Sequence, residues 1–359
     1  MKKIGIMSMQ RIRNYGSFWQ AYGLKKLLEE NYNCNVEFID FKPGQPVEDK
    51  KNEIEFNARF NKKDAILRKA YGVYFQVMYK YIWLPRYLNV SIKKNYLRNY
   101  DITVIGSDEV FNCTQSGDNI GFSKDLFGEN RKNVISYAAS FGFTTLERLR
   151  KFDLLNEVGK LLKNFKDISV RDGNSYKIVK ELVGKEPSIN LDPVLISDID
   201  KIDVTRIKMK NYIVIYAYTG RISKDEKEYI KKFAKENKKK IISLGYYHDF
   251  VDRVIVCNPY KILSYIKGAD YVITDTFHGT IFSIILKKRF VSLIRESNKE
   301  KLEDLLERLG LETRKLIRMD ELNYIIKKDI DYEKINSMLK KEKKHTLDYL
   351  KSNLSEEDI

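Results

Sequence analysis

Short apolar runs that end in a polar turn and open directly into a helix-period segment recur along this chain, and that order of elements leaves few folds open. ITVI leads into Gly106-Ser107-Asp108, DISV into Arg171-Asp172, and Ala269 to Ile273 into Thr274-Asp275-Thr276-Phe277-His278-Gly279 before the apolar stretch Thr280 to Leu286. Runs of four or five apolar residues without polar alternation read as strands buried on both faces, the pattern of a parallel sheet covered by helices. In the first half, strands at Lys3 to Met7, Val36 to Phe41, Ile102 to Ile105, Val134 to Ala138 and Asp167 to Val170 alternate with helices near Phe18 to Asn31 and Thr145 to Asn164. After Leu191 to Ile196 and a charged linker, Ser197 to Lys210, the pattern restarts. Strands at Tyr212 to Tyr216, Lys240 to Leu244, Tyr271 to Ile273 and Phe290 to Ile294 then alternate with helices at Lys224 to Asn237, Tyr260 to Lys267 and Thr280 to Leu286. The expectation is an α/β chain of two Rossmann-like domains, residues 1–196 with an insertion over 47–99, and residues 197–331, followed by a helix over 332–359 that crosses back to the first domain. Two doubly wound domains in tandem leave a cleft between them, faced by the turns at the carboxyl ends of their strands.

With 359 residues and 43% hydrophobic content, the chain can fill two cores. A net charge of +16 suits phosphate, anionic polysaccharide or an anionic bilayer surface, although lysine runs such as Lys238 to Lys240 also read as solvated helix faces. Cys34, Cys113 and Cys257 stand far apart, so neither a zinc site nor a disulfide framework is expected, and a reducing cytoplasm fits. The opening MKKIGIMSMQ reads as a first strand and not as a signal peptide. Ala70 to Leu84 is too short and too interrupted, by Gln76 and Lys80, to span a bilayer. Its aromatics, with the surrounding lysines and arginines, read first as a helical insertion packed on its own domain and second as a segment that dips into a headgroup layer.

Four turns have the composition of a site. Asn14-Tyr15-Gly16-Ser17 follows the first strand and opens the first helix, where glycine allows close approach and serine can cap. It is neither GxGxxG nor a P-loop, so a nicotinamide cofactor or a P-loop nucleotide is not expected. Asp108 places a carboxylate at a strand end, suited to taking a proton from a hydroxyl or to capping the next helix. Arg171 offers a planar fork for a carboxylate or phosphate. His278 sits at a strand-to-helix turn beside unpaired helix N–H groups that attract anions. His248 lies in a loop after a second-domain strand, and His345 among lysines.

Together, NYGSFWQ (Asn14 to Gln20), GSDEVFN (Gly106 to Asn112), SYAASFG (Ser136 to Gly142), SVRD (Ser169 to Asp172), LDP (Leu191 to Pro193) and TDTFHG (Thr274 to Gly279) resemble the polysaccharide pyruvyl transferase family, in this order and over most of the chain. The resemblance implies a GT-B-like pair of Rossmann-type domains with an interdomain cleft. It further implies a cytoplasmic enzyme that uses phosphoenolpyruvate as pyruvyl donor to a pair of sugar hydroxyls, with no cofactor and no metal. On the same ground Arg171 and His278 match donor-site positions, and Asp108 a position near the acceptor. Asn14, Gly16, Ser17, Gly106, Ser107, Thr276, Phe277 and Gly279 are expected to line the site from their turns. Glu109 and Phe111 stand where the family often has Gln and Trp, and Thr276 where some members carry an arginine; Arg295 is the candidate to supply the missing cation.

The expected chemistry is protonation of the donor methylene by His278, with Arg171 holding the donor's anions and Asp108 orienting or deprotonating the acceptor. Expected partners are phosphoenolpyruvate, a glycan or lipid-linked glycan, and an anionic membrane at the inner face. Nucleic acid is not expected, because the basic and aromatic residues cluster in one insertion and trace no nucleic-acid-binding pattern. The rival readings are a GT-B-type glycosyltransferase using a nucleotide sugar and a non-catalytic polysaccharide- or nucleic-acid-binding protein.

Overall fold

The computed structural model describes residues 1–47, 61–115 and 120–354. The first domain runs β1 (Lys2–Met7), α1 (Tyr15–Asn31), β2 (Cys34–Ile39), α2 (Lys62–Met78), β3 (Ile102–Asp108), β4 (Val134–Ala139), α3 (Leu146–Lys151), α4 (Leu155–Leu162), β5 (Ser169–Val170), α5 (Gly173–Val183), β6 (Ser188–Ile189) and α6 (Pro193–Ile196). Its six strands are all parallel, in the order β2-β1-β3-β4-β5-β6. The second domain runs β7 (Tyr212–Tyr216), α7 (Lys224–Glu236), β8 (Lys240–Leu244), β9 (Arg253–Ile255), α8 (Pro259–Gly268), β10 (Tyr271–Thr274), α9 (Phe277–Ile285), β11 (Arg289–Leu293), α10 (Lys299–Arg308), β12 (Lys315–Leu316) and α11 (Leu322–Lys327). These strands form a second parallel sheet, β12-β11-β10-β7-β8-β9.

The central strands β4 and β7 are buried at every residue because helices cover both faces of each sheet, which is why they read as unbroken apolar runs. Helix starts follow their caps. Asn14 accepts from the Ser17 N–H at 2.6 Å, Ser223 and Glu226 form a capping box on α7, and Asn258 with Pro259 opens α8.

Three features depart from the sequence reading. The single helix expected at Thr145 to Asn164 is two, α3 and α4, divided where Asp153 turns into the left-handed region at φ 55°. Strands β6, β9 and β12 have two or three residues each, too few to leave a periodic signal. Of the 47–99 insertion, residues 48–60 lie outside the described residues. After these, α2 runs on into a π-helical segment over Tyr79–Leu88 that contains Pro85 and ends on Asn89 in the left-handed region, and a stretch without helix or strand follows over residues 90–99.

One apolar cluster runs through both domains, joining Ile4, Tyr15 and Trp19 to Tyr216, Phe282 and Phe290. Tyr15 Oη donates to the Cys257 carbonyl at 2.7 Å, and Trp19 Nε1 to the Pro259 carbonyl at 3.2 Å. A last helix, α12 (Tyr332–Leu354), packs on the first domain, where Tyr349 Oη donates to the Ser136 carbonyl at 2.7 Å and Thr346 Oγ1 to Asn190 Oδ1 at 3.0 Å. Among the described residues no helix is long and apolar enough to cross a membrane.

Candidate functional site

A cleft of about 320 Å³ opens between the carboxyl ends of the two sheets. The turn after β1 contributes Asn14, Gly16 and Ser17; the end of β3, Asp108 and Glu109; the second domain, Tyr218, Arg221, Asp275, Thr276, Phe277, His278, Asn298 and Lys301. The N-termini of α1 and α9 both face this space, so two sets of helix N–H groups converge on one volume.

Glycine at position 16 is required by the histidine opposite. A Cβ there would lie 2.3 Å from His278 Nδ1 and 2.8 Å from His278 Cβ, so the His278 side chain packs directly on the start of α1 across the domain boundary. Gly106 is required by its own strand, because at φ 137° a side chain would meet the Tyr137 carbonyl oxygen at 2.0 Å. The peptide that follows Gly106 is cis.

Beneath the cleft floor lies a buried charge array. Asp192 caps α6, taking the Val194 N–H on Oδ1 at 3.0 Å, which leaves Oδ2 to face a guanidinium and an imidazole. Arg171 Nη1 donates to that oxygen at 2.9 Å, and His278 Nε2 approaches it to 3.5 Å. Burial opposes ionisation of Asp192, but His278 and Arg171 outweigh it and hold its carboxyl below the ordinary range. Arg171 also reaches Asp108 Oδ1 at 3.4 Å and lies over the Phe277 ring at 4.2 Å from its centroid. Burial disfavours its charge, yet Asp108, Asp192, Asp172 and Glu109 together raise its pKa, so the guanidinium remains ionised.

The structure therefore moves Arg171 from an open anion clamp to a buried organiser. Its side chain is 3% exposed and does not line the cleft. Nor is it a surface pair with Asp172, whose carboxylate is taken up by Ser140 Oγ at 2.6 Å and the Ser175 N–H at 2.8 Å. Arg295 is likewise corrected: it forks onto Glu226 at 2.6 and 3.0 Å and stays outside the cleft. Gly106, Ser107 and Gly279 also lie behind the cleft surface, with Ser107 Oγ donating to Gln20 at 2.8 Å. His278, Asp108, Asn14, Gly16, Ser17, Thr276 and Phe277 are brought together on its wall. His248 is buried elsewhere against the Ala217 carbonyl, and burial lowers its pKa to about 4. His345 is exposed.

The cations that do face the cleft were not singled out by sequence. Lys301, from α10, pairs with Glu109; burial opposes ionisation of that carboxyl, but Lys301 and Asn112 bring it down to about 2. Arg221 lies 4.7 Å from the centroid of the Tyr218 ring and has no ion-pair partner among the described residues. Asp275, in the turn before His278, accepts from the Tyr218 N–H at 3.1 Å, while its Oδ2 is buried and unpaired. Burial raises its pKa to about 6, against the opposing pull of Arg221. Lys301 and Arg221 sit in charged helical or loop segments with no motif around them, which is why pattern reading passes over them. Among the described residues no cluster of His, Cys, Asp or Glu is arranged to hold a metal ion.

Two parallel sheets facing across a cleft define a GT-B-like two-domain α/β protein, and solved structures share that fold. The glycotransferase of kitacinnamycin is 11% identical over 99% of both chains with a TM-score of 0.52. S. aureus MnaA with UDP is 11% identical over 99% of this chain and 97% of that one, with a TM-score of 0.51. UDP-GlcNAc 2-epimerase from Neisseria meningitidis, bound to UDP-GlcNAc, is 12% identical over 99% of both, with a TM-score of 0.50. At these identities the likeness is one of fold alone. No curated protein matches the sequence. The polysaccharide pyruvyl transferase family model matches residues 14–297, from the first-domain turn to the cleft residue Ser297, and the chain belongs to that family of transferases.

Proposed function

We propose that this protein moves the enolpyruvyl unit of phosphoenolpyruvate onto a pair of hydroxyls of a cell-surface polysaccharide or its precursor, forming a pyruvate ketal and releasing phosphate. A proton is added to the donor methylene carbon, leaving a cationic centre at the carbon that bears the carboxylate. One sugar hydroxyl attacks that carbon and loses its proton; the second displaces phosphate, losing its own proton, and phosphate leaves as the hydrogen phosphate. His278 supplies the first proton, with its ring pinned between Gly16 and Asp192. Asp108, at the cleft wall, receives a hydroxyl proton. Arg221, Lys301 and the N–H groups of α1 and α9 receive the donor's phosphate and carboxylate, while Arg171 acts from below by fixing Asp192 and Asp108.

The observation that carries this reading is His278 standing over the point where two helix N-termini and a cation without a carboxylate partner converge, in a space suited to a small polyanion and part of a sugar. Work on a cytosolic donor fits a protein of the cytoplasm, and a lipid-linked glycan acceptor would bring it to the inner membrane face. Thermal unfolding with phosphoenolpyruvate, compared with UDP- and GDP-sugars, separates this from nucleotide-sugar transfer, since a ligand at 100 times its dissociation constant adds about 2.7 kcal/mol. Stabilisation by a nucleotide sugar and none by phosphoenolpyruvate overturns the proposal. With donor and glycan present, the His278→Ala variant should retain donor stabilisation and lose the pyruvyl mass gain on the glycan.

A further inference from the structure

The outward face of α2 and the π segment after it is apolar where a helix facing water is ordinarily polar. Ile66, Val73 and Val77 are 68, 54 and 46% exposed and share one side of α2; Tyr74, Tyr81 and Ile82 extend the stripe. Of 14 large hydrophobic residues exposed among the described residues, nine fall between Ile66 and Leu97, so this is one patch and not scatter. The opposite face of the same helix is fully engaged. Phe75, Tyr79 and Trp83 are buried, Phe75 stacking on Tyr15 at 4.8 Å. Amphipathic burial is therefore already satisfied inward, and the outer stripe has no partner among the described residues.

Cations surround it. Residues 61–98 hold nine Lys or Arg and one acid, Asp64, which is itself engaged by Tyr247 Oη at 2.5 Å. Lys69, Lys80, Lys93 and Lys94 are exposed along or beside the stripe. Aliphatic side chains at the centre, tyrosines at the edge and lysines that can extend to headgroups form the composition of a helix lying in a bilayer interface.

We infer that this face docks on an anionic phospholipid bilayer and holds the cleft at the membrane surface. The connection to the cleft is direct. Arg13, one residue before the α1 cap, donates to the Gly72 carbonyl at 2.7 Å, and Tyr79 Oη donates to the Gln10 carbonyl at 3.0 Å. Asp64 and Tyr71 meet Tyr247 of the second domain, so the helix is braced against both halves of the site. A protein seated this way reaches acceptors that are carried on a membrane lipid. That consequence rests on the transferase reading above, but the docking itself does not.

The test uses the full chain and no donor. Cosedimentation with vesicles of phosphatidylcholine alone, and with phosphatidylglycerol at about one third, should show binding only to the anionic set. Val73→Glu with Val77→Glu should abolish it at unchanged melting temperature, and Lys69→Gln with Lys80→Gln should weaken it roughly 25-fold, at about fivefold per charge near the surface. Absence of binding at low salt overturns the inference, as does a Val73→Glu/Val77→Glu variant that binds like the parent. A parent that is dimeric by light scattering and a variant that is monomeric would assign the face to a second copy and overturn it too. Because no donor or glycan is present, any of these failures leaves the proposed chemistry untouched.

Discussion

Replacing Gly16 by alanine should disable the site without unfolding the protein. The added methyl would meet His278 Nδ1 at 2.3 Å and Cγ at 2.5 Å, whereas an ordinary contact needs about 3.4 Å or more, so the imidazole must withdraw by about 1 Å. It cannot simply swing aside, since His278 Cβ is itself 2.8 Å from the new atom and the residue belongs to α9. Gly16 is not in the left-handed region and lies in the first turn of α1, where alanine is the better helix former by about 0.5–1 kcal/mol. That gain offsets part of an overpacking cost of roughly 1–3 kcal/mol, so the net loss of stability is small. The loss of turnover should be large, because a displacement of about 1 Å at a catalytic group costs on the order of 100-fold, or about 3 kcal/mol of barrier. Steady-state phosphate release from phosphoenolpyruvate with a competent glycan should show the fall in kcat with KM for the donor nearly unchanged. With only three histidines in the chain, the imidazole resonances should show one of them moved and two unmoved. A Gly16→Ala variant that keeps kcat within twofold of the parent, or leaves all three resonances in place, would refute the packing argument.

Arg221→Gln should raise KM for phosphoenolpyruvate at least tenfold with a smaller effect on kcat, measured in the same assay; an unchanged KM would remove Arg221 from the donor site. Asp192→Asn takes the closest carboxylate from a buried guanidinium and from His278, and should cost roughly 3 kcal/mol in urea unfolding as well as activity. His248 carries a pH signature of its own. Burial holds its folded pKa near 4, against an ordinary value of about 6.5 in the unfolded chain. Below pH 6.5 the unfolded state therefore takes up the proton first. Stability falls as pH drops from 6.5 towards 4, by at most about 3 kcal/mol, and levels off below that for this group. The difference between parent and His248→Gln unfolding curves should show that slope, and parallel curves across this window would sink the assignment.

Much of the architecture was legible because buried parallel strands must be continuously apolar and their turns must be capped. Val272 to Gly279 displays strand, cap and helix start in eight residues, and Asn14 to Ser17 does the same at the head of the first domain. Those local rules also brought Asp108, His278, Asn14 and Gly16 into view as site residues, and the structure sets all four on one cleft wall. What a local rule cannot express is a partner hundreds of residues away. Asp192 looked like a helix cap, and it is one, but its second oxygen serves Arg171 and His278.

The sequence by itself determined two parallel-sheet domains, the turns that face one another, and the family, because each of these rests on patterns within a few residues. Only the tertiary structure decided which cations reach solvent. Arg171 was legible at a polar turn and Arg221 sat in a segment without a motif, yet Arg171 is sealed beneath Phe277 between two aspartates and Arg221 lines the cleft beside Tyr218. The physical reason is that charge is placed by neighbours in space: a guanidinium is held inside by carboxylates from β3 and the α6 cap, and is left for a ligand where no carboxylate closes an ion pair on it.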